Sequence, residues 1–106
     1  MKYTEIFKLK EMLEKDNIPH EFIDRKDEWL GREAWQICYP VAKLKDRICS
    51  CIQSPISYGH EADLLEIMGL LTDEEYDEYG DVLGCLTAEE VFNRIKQHYD
   101  ETKGDK

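Results

Sequence analysis

Six carboxylates and two tyrosines lie within residues 72–81, TDEEYDEYGD. A calcium loop of the helix-loop-helix type requires oxygen ligands at alternate positions, a glycine at the sixth position and a glutamate at the twelfth. If Gly80 is the sixth residue of such a loop, the twelfth is Leu86. The segment therefore fails the calcium pattern, although crowded carboxylates could still bind a divalent ion weakly.

Three other interpretations of this segment remain open. Its acids can be a solvated helical turn that Thr72 caps, because acidic residues favour the N-terminal end of a helix. They can mimic a nucleic acid in a basic groove, with the tyrosines as stacking surface. They can also attract and orient a basic protein. We predict a partner-binding region that consists of Asp73, Glu74, Glu75, Tyr76, Asp77, Glu78, Tyr79 and Asp81.

A second candidate site is the polar loop Ser57, Tyr58, Gly59 and His60. A histidine beside acidic residues can act as a general base, and Ser57 or Cys51 could act as a nucleophile. No recognised catalytic motif surrounds these residues, and a turn with Gly59 at positive φ is the explanation that we favour. We predict that the protein is not an enzyme. A small-ligand or metal-binding module that uses this loop is the alternative function.

The four cysteines are Cys38, Cys49, Cys51 and Cys85. They contain no C-x-x-C pair, and their spacing matches no common zinc signature. Reduced thiols of this kind are typical of a cytoplasmic protein and pack as small buried side chains. We therefore predict no metal site and no cofactor.

The excess negative charge is confined to one part of the chain. The net charge of the 106 residues is −10, yet residues 1–47 are neutral, whereas residues 48–93 contain eleven acids and neither Lys nor Arg. That half should repel a nucleic-acid backbone and attract a basic protein surface. The chain has no apolar run of membrane length and no secretory apolar region at its start, which indicates a cytoplasmic protein that does not enter membranes.

The patterning predicts a single α+β domain over residues 1–106. It has an N-terminal helix that Thr4 can cap, a three- or four-stranded antiparallel sheet and a C-terminal helix. Strands are predicted at residues 20–24, 34–39 and 47–52. Residues 63–71 fit a helix or a strand, and we favour a strand that pairs with residues 47–52. A capping box at Thr87 and Glu90 begins the last helix, and residues 100–106 should fray. An open sheet edge could also pair two copies into a homodimer.

The second and third of these strands should form a hairpin. A symmetric pairing places Tyr39 opposite Ile48, Ile37 opposite Ser50 and Trp35 opposite Ile52. It also places Cys38 opposite Cys49, where a disulfide could form under oxidation. A slip of one residue would exchange the two faces of a strand, so this register is a testable prediction.

Several stretches resemble one group of short, mostly uncharacterised proteins from bacteriophages and prophages of Gram-positive bacteria. They are EIFKLKEMLEKDNIP, WQICYP, SYGHEADLLEIMGLL and GCLTAEEVFNRIKQHY, and together they span most of the chain. The resemblance implies an accessory protein of a phage or mobile element that acts on a host system. It assigns no catalytic residue.

Overall fold

The structure is a computed structural model that describes residues 3–29, 31–57 and 59–103. The helices are α1 (Glu5–Lys15), α2 (Asp73–Tyr79) and α3 (Ala88–Lys103), and short 3-10 turns cover Lys26–Trp29 and His60–Ala62. The strands are β1 (Glu21–Asp24), β2 (Trp35–Tyr39), β3 (Cys49–Gln53), β4 (Leu65–Met68) and β5 (Val82–Leu86). They form one sheet in the order β1-β2-β3-β4-β5, and every neighbouring pair is antiparallel. The predicted α+β class is confirmed, with five strands rather than three or four.

The main core lies between one face of this sheet and the two long helices. Ile6, Leu9 and Leu13 recur at helical spacing along α1, and all three are buried. Val91 and Ile95 are the buried apolar residues of α3 beyond its first turn. They pack in one cluster with apolar residues of the central strands, so burial of one stripe per helix holds both helices on the same face.

The predicted hairpin of β2 and β3 exists, but its register is shifted by one residue. The observed pairs are Trp35–Gln53, Gln36–Ile52, Ile37–Cys51, Cys38–Ser50 and Tyr39–Cys49. The shift turns the thiols of Cys49 and Cys51 into the core and sets Ser50 on the other face, where Gln36 Nε2 donates to its hydroxyl at 2.8 Å. The predicted register would have buried that hydroxyl among aliphatic side chains.

Residues 65–68 form β4 and pair with β3, which confirms the strand interpretation of residues 63–71. The fifth strand, β5, was not predicted; it pairs with β4 at the sheet edge. An edge strand has one neighbour, and the register of this pair shifts between Leu65 and Ile67. Such an irregularity weakens the alternation from which a strand is recognised.

The capping box predicted for α3 is present. The Glu90 N–H donates to Thr87 Oγ1 at 3.2 Å, and the Thr87 N–H donates to Glu90 Oε1 at 2.9 Å. The helix continues to Lys103, past the residue at which we predicted fraying. Residues 104–106 of that tail lie outside the described residues.

Candidate protein-docking surface

The acidic segment folds into α2, which confirms the helical turn capped by Thr72. The Glu75 N–H donates to Thr72 Oγ1 at 3.2 Å, and Glu75 Oε1 accepts from the Thr72 N–H at 2.9 Å, which completes a second capping box. The helix ends at Tyr79, and Gly80, whose φ of 81° suits glycine, is its C-terminal cap. None of the residues of α2 is buried. Packing in the core therefore does not explain the amino-acid composition of this helix.

Glu75 differs from the other carboxylates of the segment because it is bound within the fold. Its two oxygens accept hydrogen bonds of 2.7 and 2.6 Å from the Arg94 guanidinium, and Arg94 also donates to the Leu70 carbonyl at 2.9 Å. The hydrogen bonds from Arg94 and from the Thr72 backbone lower the pKa of Glu75 to about 2. Glu75 therefore fastens α2 to α3 and presents little charge to a partner.

The remaining carboxylates form what we call the acidic face: Asp73, Glu74, Asp77, Glu78 and Asp81. All five are exposed. Within residues 3–29, 31–57 and 59–103, none of them makes an ion pair or a side-chain hydrogen bond. Residues three and four apart are neighbours on a helix surface, so the four within α2 lie close together.

Two tyrosines accompany the acidic face. Tyr76 and Tyr79 have 59% and 57% of their surface exposed. Exposed aromatic rings are enriched at protein interfaces, where they bury a large area at a small cost in side-chain entropy. The segment therefore combines charge with apolar contact area.

The loop that contains the second candidate site is held by its own hydrogen bonds. Ser57 is buried; its hydroxyl accepts from the Ser54 N–H at 3.0 Å and donates to the Ser54 carbonyl at 3.0 Å. Gly59 has a φ of 91°, and a Cβ on it would approach Cys85 Cα to 2.9 Å. Tyr58 and the His60 side chain lie outside the described residues. Ser57 thus stabilises a turn, and its hydroxyl is not poised as a nucleophile.

Asp63, one of the acidic residues that follow His60, has a structural role. Its carboxylate accepts from the backbone N–H groups of Thr4 and Glu5, at 2.8 and 3.3 Å, and from the Thr4 hydroxyl. It also accepts from Gln53 Nε2 at 2.7 Å. Partial burial acts to raise the pKa of Asp63, but these hydrogen bonds outweigh it and the pKa is lowered. Asp63 therefore caps α1 in place of the Thr4 side chain, which makes no capping bond of its own.

No local signal could have revealed this role, because Asp63 and Thr4 are 59 residues apart in sequence. The carboxylate meets the N-terminal end of a helix dipole, which explains its preference for the ionised form. Nearby, Glu5 Oε1 accepts from the Ala88 N–H at the start of α3, at 2.9 Å. A cavity of about 650 Å³ lies beside these two helix ends, and Glu5 and Asp63, two of the carboxylates that line it, are already bonded within the chain.

The buried cysteines have the wrong environment for redox or nucleophilic chemistry. Burial raises the pKa of Cys49 to about 12 and raises the pKa values of Cys38 and Cys51. The observed register turns Cys38 and Cys49 to opposite faces of the sheet, and both are free, so the disulfide considered between them does not form. Among the described residues, no group of three or more His, Cys, Asp or Glu side chains could hold a metal ion.

The described helices are all too short or too polar to cross a membrane. No family model matches the chain, and no curated protein or solved structure matches it either.

Proposed function

We propose that this chain is a small accessory protein of the phage type that acts by protein–protein interaction in the host cytoplasm. The acidic face is its docking surface for a basic protein, of the host or of the phage. The specific form of the proposal is inhibition of a host nucleic-acid-binding or defence protein. It involves no catalysis, no cofactor and no direct contact with nucleic acid.

The observation that carries the proposal is the placement of Asp77 and Glu78. They lie in the last part of α2, which has no basic residue in its final turn. The C-terminal end of a helix dipole is negative, so each carboxylate there costs a few tenths of a kcal/mol to about 1 kcal/mol. These carboxylates destabilise their own helix and have no partner among the described residues. A binding partner outside the chain explains their presence better than stability does.

Within α2, the carboxylates available to a partner are distinct from Glu75, which holds the helix in place. A basic groove attracts exposed carboxylates over a distance set by salt, about 10 Å at 0.1 M. The acidic face meets this condition, whereas Glu75 is already neutralised by Arg94. Charge complementarity of this kind governs orientation and association rate more than affinity.

The experiment is a pull-down from nuclease-treated host lysate, followed by titration of each recovered protein in a calorimeter. The wild type is compared with a variant that removes four charges and keeps Glu75: Asp73→Asn, Glu74→Gln, Asp77→Asn and Glu78→Gln. A matched control removes four exposed charges elsewhere: Glu11→Gln, Asp16→Asn, Asp27→Asn and Glu89→Gln.

We expect a basic protein that the wild type and the control retain and that the acidic-face variant loses. Its affinity for the wild type should fall steeply with added salt. Equal recovery and equal affinity for all three forms would refute the docking role, and the acidic face would then be a solvated surface only.

A further inference from the structure

A cavity of about 300 Å³ lies between β2, β3 and the loops that follow β1 and β3. Gln36 and Ile52 contribute to its wall from the sheet, where they pair with each other across β2 and β3. Both side chains lie on the face opposite the two long helices, because their sequence neighbours Ile37 and Cys51 face the main core. A cavity of this size is at the lower end of the range for small-ligand pockets, about 300–1,000 Å³. It therefore suits a small molecule and not a segment of a protein.

One ion pair lines the cavity. Arg25 Nη1 donates to Glu28 Oε1 at 3.1 Å, and the two side chains are 36% and 64% exposed, respectively. An ion pair this exposed contributes little to stability. Rearrangement of the pair therefore costs the fold little, and a ligand can share both charges.

The cavity also presents hydrogen-bond donors that have no acceptor within the part of the chain that the structure describes. A guanidinium has five N–H groups. Arg25 uses two of them on Gln36 Oε1, at 2.9 and 2.7 Å, and one on Glu28, which leaves two. The buried Ser54 hydroxyl accepts from the Ile56 N–H at 3.4 Å, but it donates to none of the described residues. Unused donors beside a guanidinium match a carboxylate, which accepts hydrogen bonds and donates none.

The rest of the wall is largely apolar. Ile56 has 69% of its surface exposed, Ile52 is half-buried and Ala34 is buried. Water therefore contacts much of the Ile56 side chain in the free protein. A ligand with a compact apolar group would cover this surface, which is favourable in proportion to the apolar area that is removed from water.

The charges of the cavity favour a ligand that carries both signs. Arg25 Nη1 and Glu28 Oε1 are 3.1 Å apart, and the ammonium and carboxylate of an α-amino acid are likewise adjacent because one carbon bears both. Such a ligand can place its carboxylate on Arg25 and its ammonium on Glu28 at the same time. A phosphate or a simple carboxylate would instead be repelled by Glu28 and by Glu66, which pairs with Ile52 across β3 and β4. A simple amine would be repelled by Arg25.

We infer that this cavity is a binding site for a free apolar α-amino acid. The carboxylate of the ligand accepts hydrogen bonds from Arg25 and Ser54, its ammonium donates to Glu28, and its side chain lies against Ile52 and Ile56. None of these residues belongs to α2 or to the acidic face. The site therefore goes beyond the proposed docking function, and it can be tested without a protein partner.

The test measures binding of L-leucine to the isotope-labelled chain by two-dimensional amide NMR. Three analogues each lack one feature of leucine: isocaproate lacks the ammonium, isoamylamine lacks the carboxylate, and glycine lacks the apolar side chain. Each compound is titrated into the wild type, Arg25→Gln and Glu28→Gln. The matched controls are Arg32→Gln and Asp27→Asn, which remove an exposed charge of the same sign from residues that are not part of the described cavity wall. Thermal unfolding verifies that each variant is folded.

We expect L-leucine to bind the wild type and both controls about tenfold or more tightly than each analogue, since the charged hydrogen bond or the apolar contact that an analogue lacks is worth about that factor. Leucine should shift the amide signals of residues 52–56. Glu28→Gln should remove the preference for leucine over isocaproate, and Arg25→Gln should remove the preference over isoamylamine. A general loosening of the fold would not produce this exchange of selectivity between the two variants.

Absence of leucine binding, or equal affinity for leucine and its three analogues, would overturn the inference. Unchanged selectivity in both Arg25→Gln and Glu28→Gln would overturn it as well, as would signal shifts confined to residues outside the cavity. Each of these results would leave the docking role of the acidic face intact, because that role is tested with a protein partner and with substitutions in α2.

Discussion

Individual carboxylates of the acidic segment serve different purposes although they look alike in sequence. Glu75 is bonded to Thr72 and Arg94, whereas its neighbours Glu74 and Asp77 point to solvent. Helical geometry decides this difference, because only one side of α2 can meet α3. The role of a carboxylate in this segment therefore depends on which side of α2 it occupies, and not on whether it is Asp or Glu.

Substitution of Glu75 should lower stability in a pH-dependent way. Glu75→Gln loses a bidentate pair with Arg94 and half of a capping box, which we expect to cost about 1–2 kcal/mol at neutral pH. The folded-state pKa, about 2, lies below the ordinary value of 4.5. The contribution is therefore complete above the ordinary pKa and is lost as the pH falls towards 2.

Urea unfolding of Glu75→Gln and of the wild type, from neutral pH to about pH 2, measures this difference. Glu74→Gln is the control, since Glu74 has the same charge and is exposed. A stability difference that persists unchanged at the acid end would contradict the assigned role of Glu75.

The thiols provide a second test at the residue scale. Cys38, Cys49 and Cys51 are buried and Cys85 is exposed. Because burial raises the pKa of Cys49 to about 12, its thiolate is scarce at pH 8 and the sulfur is also inaccessible. Titration with a disulfide reagent should modify Cys85 alone in the native protein and all four cysteines in denaturant. Fast labelling of a second thiol in the native state would contradict the burial of Cys38, Cys49 and Cys51.

At the scale of elements, the junction of β3 with β4 depends on one glycine. Gly69 has a φ of 99°, and a Cβ there would lie 2.2 Å from the Ile48 carbonyl oxygen. The two strands can approach only because that position has no side chain.

Gly69→Ala should therefore destabilise the protein by about 2–4 kcal/mol, which combines positive-φ strain with overpacking. Gly31→Ala is a matched control: its φ is 86°, but nothing lies within 4 Å of the added Cβ. We expect the control to lose only about 1 kcal/mol. Equal losses in thermal unfolding would mean that backbone strain, and not strand packing, makes glycine necessary at position 69.

For α2, in contrast, we predict that removal of negative charge increases the stability of the protein. Asp77→Asn/Glu78→Gln removes two negative charges from the negative end of a helix, so stability should rise by about 0.3–1 kcal/mol. The same variant should bind a basic partner more weakly. Chemical denaturation measures the first effect, and a loss of stability would show that these carboxylates have internal partners.

For the whole molecule, the two edge strands and the net charge of −10 decide how it associates. β1 carries Glu21 and Asp24, and Asp81 immediately precedes β5. Pairing of either edge with another copy brings carboxylates together, and charged edges are a recognised protection against such pairing. A homodimer through an edge remains a prediction, but it has to overcome this repulsion.

We therefore expect a monomer at about 0.1 M salt and more dimer at about 1 M, where the screening length falls from about 10 to about 3 Å. Light scattering at two protein concentrations measures the mass at each salt level. A dimer that is complete at low salt and unaffected by high salt would place the interface elsewhere, on an uncharged surface.

Local patterns were sufficient for much of the architecture. The apolar stripes of α1 and α3, the alternation of β2 and the capping box at Thr87 and Glu90 act over three or four residues, and the elements that they indicate are present. The acidic nature of residues 72–81 and their helical form could also be predicted from sequence alone. These features depend on helix and strand periodicity and on caps, which are properties of neighbouring residues.

The strand register and the pairings between residues far apart in sequence were decided only by the tertiary structure. The β2–β3 register was decided by which face could bury Ser50 beside Gln36. The pairing of Asp63 with Thr4 and of Glu75 with Arg94 joins residues that no local pattern connects. Each of these depends on which surfaces meet after the chain folds, and desolvation and hydrogen bonding in that assembly determine the outcome.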